Sequence, residues 1–280
     1  MIVELSEINV LHKKFLRPGF GTTTPDELLF IQQVIQTYKP KKILEIGTAS
    51  GLTTGFIARF LDQIGGGHVT SVDISSRFFG DPSQNVGYLT REIYTGTEVG
   101  ITIETGRSSL DLEDLGGPWD LAFIDASHNH PWPTIDTLAV AAHLNGPRIV
   151  LHHDLQLFRR FKAFQGIGPR VLFNETPERH RHASSANRWN IFYMDLTMPQ
   201  DLLEEVALNA LSMPWTVQPA LRRGDVAKIF QVLGQTYSAG FMKEFEECEK
   251  QNRWSKFARA MFHLRVRKAK IVKMLNGGPA

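Results

Sequence analysis

The chain of 280 residues contains a single cysteine, Cys248. One thiol cannot close an internal disulfide, so the composition favours a reducing compartment. No apolar run approaches the ~18 residues needed to span a bilayer. The N-terminus carries acidic residues early and lacks the apolar stretch of a signal peptide. We therefore expect a cytoplasmic protein without a transmembrane segment, soluble or at most peripheral.

An excess of one charge is also missing. Lysine and arginine total 31 against 29 aspartate and glutamate, a formal net charge of +2. Such a balance gives no sign of a polyanionic partner, and the chain has no N-P-P-[YF] motif of nucleic-acid amino-methylation. With 42% hydrophobic residues, the chain is instead typical of a globular protein with a substantial core.

Short apolar runs alternate with segments of helical periodicity along the first two thirds of the chain. Predicted strands lie at 41–47, 68–74, 101–106, 119–125 and 147–154, followed by two more at 170–176 and 188–196 around a polar, basic loop at 177–187. Predicted helices lie at 24–39, 51–66, 133–146 and 155–165. This alternation predicts an α/β fold, a parallel sheet with helices on both faces.

The pattern changes after residue 198, where the remaining segments read as helical. We therefore divide the chain into a domain at 1–198 and a helical C-terminal extension at 199–280. Residues 254–275 hold seven lysines or arginines and no acidic residue. This helix either packs on the sheet domain or on a second subunit, making a homo-oligomer, or binds a membrane surface or anionic ligand.

The first candidate site is "LEIGTASGLTTG", a strand that runs into a glycine turn and a helix. Gly47 and Gly51 let the backbone approach a ligand, and the helix start offers free N–H groups. The spacing is E-x-G-x-x-x-G rather than G-x-G-x-x-G, and Glu45 would repel a pyrophosphate. A cationic, amine-bearing ligand is favoured instead.

Two further segments follow the next strands. Asp73 ends the second strand, where a carboxylate accepts hydrogen bonds from ribose hydroxyls; the alternative is a turn-forming aspartate. "ETGRSSLD" (104–111) follows the third strand, and there Ser108 or Ser109 either bonds an adenine edge or caps a helix.

These motifs, in this order, resemble the class I S-adenosylmethionine-dependent methyltransferases, and among them the catechol and macrolide-sugar O-methyltransferases. The resemblance covers about residues 20–196 and implies a Rossmann-like seven-stranded sheet of order 3-2-1-4-5-7-6 with an antiparallel last strand. It implies that S-adenosylmethionine is bound along the residues listed here: Glu45, Gly47, Ala49, Ser50, Gly51, Thr53, Asp73, Ile74, Gly106, Arg107, Ser108 and Asp125.

The predicted reaction centre lies in "FIDASHNH" (123–130) and "VLHHD" (150–154). Asp125, His153 and Asp154 end neighbouring strands and form a plausible ligand set for a divalent ion. The resemblance implies an aspartate at the position of Asp125 and an acidic pair or Asp-Asn at those of His153 and Asp154. Histidine at position 153 makes Mg²⁺ less suitable and leaves Mn²⁺, Fe²⁺, Zn²⁺ or no metal open. His153 could instead be an acid–base residue or a structural hydrogen bonder. His128, at D-x-x-H spacing from Asp125, is the candidate general base, and His130 and His152 are expected to be structural.

Together these features predict an O-methyltransferase that uses S-adenosylmethionine and acts on a hydroxyl of a small molecule, a sugar or a glycosylated natural product. A bound metal at Asp125 would lower the pKa of that hydroxyl. Two alternatives stay open: a metal-independent methyltransferase acting on N, S or C, and a non-catalytic S-adenosylmethionine-binding protein.

Overall fold

A computed structural model describes residues 5–16, 23–160, 164–185, 190–217 and 221–253. Its strands are β1 (Lys42–Ile46), β2 (Gly67–Asp73), β3 (Val99–Thr105), β4 (Trp119–Ile124), β5 (Leu144–His152), β6 (Arg181–Ala183) and β7 (Phe192–Asp195). They form one seven-stranded sheet of order β3-β2-β1-β4-β5-β7-β6, which confirms the predicted order. The first five strands run parallel and β7 is antiparallel to its neighbours β5 and β6. The carboxyl ends of β1, β4 and β5 therefore lie side by side, where ligands of such sheets bind.

Helices cover both faces of the sheet. In the described residues they are α1 (Leu5–Phe15), α2 (Pro25–Tyr38), α3 (Leu52–Gln63), α4 (Thr90–Ile93), α5 (Trp132–Ala141), α6 (Gly168–Glu175), α7 (Gln200–Ser212), α8 (Arg223–Leu233) and α9 (Ala239–Asn252). Short 3₁₀ segments lie at Ser109–Asp114, Leu157–Arg160 and Glu178–His180. Neighbouring residues of a strand point to opposite faces of the sheet and belong to separate apolar clusters. Ile43 shares a cluster with α1–α3, whereas Leu44 shares one with α5 and α7–α9. This alternation is the period of two of a strand that is buried on both faces.

The predicted strand at 170–176 is wrong, since this segment lies in α6. Pro169 occupies the first turn, where a missing N–H costs nothing, and Gly168, Pro169 and Leu172 share the buried side. The sixth strand comes instead from Arg181–Ala183, inside the predicted loop 177–187. Of the predicted helix 155–165, only Leu157–Arg160 forms a helical turn in the described residues.

The C-terminal extension is helical through α9, as predicted, while the basic segment 254–275 lies outside the described residues. The helices α7–α9 of the extension share an apolar cluster with Leu138 of α5, through Leu203, Leu211, Ile229 and Phe245. The extension thus packs on the sheet domain through a continuous core, and its boundary at residue 199 stays a prediction. Within the described ranges, no helix has the length and apolar character needed to cross a membrane.

A buried carboxyl on α5 gives the fold a pH dependence. Asp136 is 4% exposed, and burial, opposed by the hydroxyl of Ser109 at 2.5 Å, raises the pKa of Asp136 to about 7. Above about pH 4 this group loses its proton in the unfolded chain but keeps it in the folded chain. The free energy of unfolding is therefore highest below about pH 4 and falls as the pH rises to about 7.

We expect Asp136→Asn to remove this loss, because the amide oxygen still accepts from Ser109 and carries no charge. The free energy of unfolding, measured in urea at pH 4.5 and pH 7.5, should fall by up to roughly 3 kcal/mol more in the wild type than in the variant. Parallel pH profiles for the two proteins would show that Asp136 ionises normally.

Candidate active site

The glycine turn after β1 is packed against the end of β4. Gly47 has a φ of +99°, and a Cβ there would lie 2.4 Å from the carbonyl oxygen of Asp125. Gly51, with a φ of +80°, begins α3 and would clash in the same way with the hydroxyl of Thr90. Both positions accept only glycine, because other residues would be strained and would collide with their neighbours. The turn therefore brings open backbone next to Asp125.

Glu45 lies beneath this turn and is fully buried. Its Oε2 accepts from the hydroxyls of Thr54 at 2.5 Å and Ser71 at 2.6 Å, and the Ser71 hydroxyl also contacts that of Thr48. Burial, opposed by these two hydrogen bonds and reinforced by the charges of Asp125 and Asp73, raises the pKa of Glu45 to about 8. In the described residues its Oε1 has no hydrogen-bond partner. A cation above the turn would lower this pKa and favour the carboxylate.

Asp73 ends β2 beside the turn, as predicted. Its carboxylate accepts from the backbone N–H of Ala49 at 3.0 Å and of Ser75 at 2.8 Å. Ala49 is itself held in the left-handed region, with a φ of 48°. Next to Asp73, Ile74 leaves 80% of its surface exposed. A fixed carboxylate beside an exposed apolar side chain suits a sugar hydroxyl pair and an adjoining aromatic ring.

Other predicted cofactor residues line the same edge. Ser50 is buried in the turn, and Thr53, in the first turn of α3, bonds the hydroxyl of Thr23 at 2.8 Å. Gly106 has a φ of +73° and open space around its Cα, and the N–H of Arg107 donates to the carbonyl of Asp73 at 3.1 Å. The loop of Gly106 and Arg107 thus lies beside Asp73.

Ser108 is the cap of the Ser109–Asp114 helix, and its hydroxyl accepts from the N–H of Leu110. Asp111 in turn accepts from the N–H and hydroxyl of Ser108, at 2.9 and 2.8 Å. Lys228 of α8 forms an ion pair with the other oxygen of Asp111. The capping interpretation is therefore observed, and the C-terminal extension reaches the loop that follows β3.

The ends of β4 and β5 bring Asp125, His128 and Asp154 together. The Nε2 atom of His128 lies 3.1 Å from Oδ2 of Asp154 and 3.5 Å from Oδ1 of Asp125. The three side chains are 18–22% exposed, so solvent and a ligand reach them. Their donor atoms all lie within 4.8 Å of one another, which is a geometry for a metal ion.

His153 lies behind this centre and is only 5% exposed. Its Nδ1 is 3.2 Å from Asp125 and its Nε2 is 3.1 Å from Glu27 of α2. Burial alone would lower the pKa of His153, but the charges of Asp125 and Asp154 raise it well above its usual value. Carboxylates at both nitrogens hold the ring as an imidazolium, which has no lone pair for a metal. The geometry therefore favours His128 over His153 as a nitrogen ligand.

Glu27 and Asn190 complete the network, and the sequence motifs gave no sign of either. Burial opposes ionisation of Glu27, yet the hydrogen bond and charge of His153 bring its pKa down to about 2. The Asn190 amide donates to Glu27 at 2.9 Å and to Asp154 at 3.2 Å. The one available signal was the capping-box position of Glu27, whose carboxylate accepts from the backbone N–H of Thr24 at 2.7 Å.

The two remaining histidines of these segments are buried, consistent with the structural role expected for them. His152 stacks on Phe192 and bonds the Thr137 hydroxyl at 2.9 Å, and burial lowers its pKa to about 3. Burial likewise lowers the pKa of His130 to about 4, and its backbone joins the segment at Thr216. Both rings are therefore neutral near pH 7.

Comparison with known proteins finds one family profile that covers this site. The profile of a family described as "Methyltransferase domain" matches residues 44–155, which contain the glycine turn, Asp73 and the Asp125–His128–Asp154 centre. No curated protein sequence matches the chain.

Solved structures with a similar backbone include three methyltransferases. An O-methyltransferase from Bacillus cereus in complex with SAH is 18% identical, with 68% of this chain and 90% of that chain covered and a TM-score of 0.45. The O-methyltransferase TomG from Streptomyces achromogenes, involved in tomaymycin synthesis and in complex with SAM, has 15% identity, 68% and 88% coverage and a TM-score of 0.47. The SAH-bound Podospora anserina methyltransferase PaMTH1 has 16% identity, 68% and 86% coverage and a TM-score of 0.48. Residues 44–155 thus match a methyltransferase domain, and the strand order of the sheet is the one that the resemblance to class I, S-adenosylmethionine-dependent methyltransferases implies.

Proposed function

We propose that the protein is an O-methyltransferase that transfers the methyl group of S-adenosylmethionine to a hydroxyl of a small molecule, a sugar or a glycosylated natural product. The observation that carries the proposal is the Asp125–His128–Asp154 centre, which lies beside the glycine turn at the carboxyl ends of β4 and β5. A hydroxyl is a weak acid, so its attack on a methyl group requires a nearby proton acceptor.

The donor would lie across the carboxyl edge of the sheet. Asp73 would accept hydrogen bonds from the ribose hydroxyls, and Ile74 with the loop Gly106–Ser108 would flank the adenine. The turn from Gly47 to Gly51, with Ala49 and Ser50, would hold the methionine end together with Thr53. Glu45 would supply a negative charge beneath that cationic end, since a nearby cation favours its ionised form.

His128 is the proposed general base. When its Nε2–H donates to Asp154 at 3.1 Å, Nδ1 is left as the proton acceptor, and the carboxylate fixes the ring and stabilises its charged form. The acceptor oxygen displaces the sulfur at the methyl carbon in one step, the C–S electron pair stays on sulfur, and the hydroxyl proton passes to His128. Holding the oxygen and the methyl group in line supplies much of the rate enhancement.

A metal-assisted form of the same reaction is favoured by the cluster geometry. Asp125, His128 and Asp154 offer two oxygens and one nitrogen within 4.8 Å, a set that suits Mn²⁺, Fe²⁺ or Zn²⁺ better than Mg²⁺. A bound ion would supply polarisation that lowers the pKa of the acceptor hydroxyl. In this form Nε2 of His128 would be a ligand, so the histidine would hold the ion and the hydroxyl proton would pass to solvent, which reaches the partly exposed centre.

The test starts with calorimetric titration of S-adenosylhomocysteine into metal-stripped protein. Transfer of a labelled methyl group is then measured to sugars, glycosides, catechols, amines and thiols, with chelator and after addition of Mn²⁺. Binding with transfer to hydroxyl acceptors supports the proposal, and dependence on Mn²⁺ selects the metal-assisted form. Transfer only to amines or thiols, or binding without any transfer, would overturn it.

A further inference from the structure

Three arginines lie close enough for the charges of two of them to act on the third, and we call them the arginine cluster. Arg159 lies in the Leu157–Arg160 turn, Arg170 in α6 and Arg181 at the start of β6. None of them belongs to the motifs that predicted the cofactor site or the reaction centre.

The cluster is ordered by an aromatic ring. The guanidinium carbon of Arg181 lies 4.4 Å from the centre of the Phe173 ring, and that of Arg170 lies 5.6 Å from it. Arg181 also donates to the carbonyls of Phe173 and Asn174, and Phe173 packs edge-on against Phe192. Two guanidinium groups are thus held in place without a ligand, so a ligand would lose less conformational entropy on binding them.

In the described part of the chain, no carboxylate forms an ion pair with the cluster. Among the described arginines, ion pairs join carboxylates to Arg59, Arg107 and Arg253, but none reaches the arginine cluster. Burial, and then the charges of Arg159 and Arg181, lower the pKa of the Arg170 guanidinium. Like charges held together without a counter-ion form a site of positive potential that an anion would relieve.

Two of the three elements that carry the cluster are tied to the backbone of the reaction centre. The N–H of Gly168, at the start of α6, donates to the carbonyl of His128 at 2.9 Å, and Arg170 follows within the same helical turn. The turn with Arg159 begins from Asp154, whose carbonyl accepts from the N–H of Leu157 at 3.1 Å. Arg159 and Arg170 thus lie on segments that are anchored at the residues where the acceptor hydroxyl would bind.

We propose that the arginine cluster binds an oxyanion group, a phosphate or a carboxylate, on the acceptor molecule. The proposal rests on the proposed function, because it names a property of the substrate of that site. Guanidinium groups match both oxyanions with paired N–H donors. The expected acceptor is thus a sugar phosphate, a glycoside with a carboxylate, or a related hydroxylated acid.

The first experiment needs no knowledge of the acceptor. Inorganic pyrophosphate and malonate are titrated separately into the wild type and two variants, Arg170→Gln and Arg223→Gln. Arg223 is an exposed arginine of α8, so its variant serves as the control. We expect saturable binding of at least one anion to the wild type and the control. The Kd of that anion should be higher by roughly tenfold or more in Arg170→Gln. Equal affinity in all three proteins, or no saturable binding, would overturn the proposal.

The second experiment compares matched acceptors: a sugar with its phosphate, and a catechol with its carboxylic acid. The ratio of kcat/KM between the charged and neutral member should favour the charged one in the wild type and fall about tenfold or more in Arg170→Gln. A preference in one pair alone identifies phosphate or carboxylate, and equal use of both members contradicts the inference. Binding of S-adenosylhomocysteine to the same samples separates the two proposals. If the protein binds the anion but not S-adenosylhomocysteine, the anion site stands and the proposed methyl-transfer function is wrong.

Discussion

Replacing Asp73 with alanine is expected to weaken binding of S-adenosylhomocysteine by about a hundredfold or more. The substitution removes a carboxylate that would accept two hydrogen bonds from the ribose, each worth roughly 1.5–3 kcal/mol when one partner is charged. It also frees the backbone N–H groups of Ala49 and Ser75, which that carboxylate now fixes. Calorimetric titration of the wild type and the variant measures the change in Kd.

Asp81→Ala is the matched control for Asp73→Ala. Asp81 lies in the segment between β2 and β3, is exposed, and accepts from the N–H and hydroxyl of Ser83 at 3.0 and 2.7 Å. Its loss should leave the Kd within about twofold, and thermal unfolding shows whether either variant is destabilised. If a folded Asp73→Ala protein binds S-adenosylhomocysteine like the wild type, the assignment of the ribose site is wrong.

Replacing His128 with glutamine should lower kcat by about 10²–10⁴-fold, the usual contribution of a general base. The affinity for S-adenosylhomocysteine should stay unchanged, because the side chain faces Asp125 and Asp154 and not the Asp73 edge. Steady-state kinetics with the best hydroxyl acceptor and calorimetry on the same protein separate the two quantities.

His143→Gln provides the control for this substitution, since His143 lies at the opposite end of the sheet, where its carbonyl accepts from the N–H of Trp119 at 3.0 Å. A normal kcat in a folded His128→Gln protein would refute both roles of this histidine. Loss of Mn²⁺ binding together with activity would identify His128 as a ligand, whereas unchanged Mn²⁺ binding with a low kcat identifies it as the base.

Most of the sheet could be predicted from the sequence because its strands carry local signals. Runs such as Lys42–Ile46 and Trp119–Ile124 are apolar, short and closed by polar residues. The segment 170–176 misled because Val171, Leu172 and Phe173 form an apolar run that fits a buried strand or a short helix equally well. Arg181–Ala183 gave no strand signal, since its three residues are polar or small and become a strand only through pairing with β7.

The proposed cofactor edge was equally visible, because the glycine turn and Asp73 stand at the ends of neighbouring strands, where the N–H of Ala49 donates to Asp73. The reaction centre was visible only in part. Glu27 is far from Asp154 in the chain and meets it through His153 and Asn190. No spacing rule covers contacts of that length, so the charged state of His153, and with it the preference for His128 as a ligand, needed the structure.

The ion pair between Lys228 and Asp111 bears on how enzymes of this kind can be recombined. Asp111 braces Ser108 in the loop proposed to flank the adenine, while Lys228 belongs to a helix outside the matched methyltransferase domain. A chimera that takes its C-terminal helices from another protein would leave Asp111 with only Arg107, 4.0 Å away, as a counter-charge unless a lysine or arginine arrived at the place of Lys228. The loop with Asp111 and the helix with Lys228, 117 residues apart in the chain, should therefore be taken from the same parent protein.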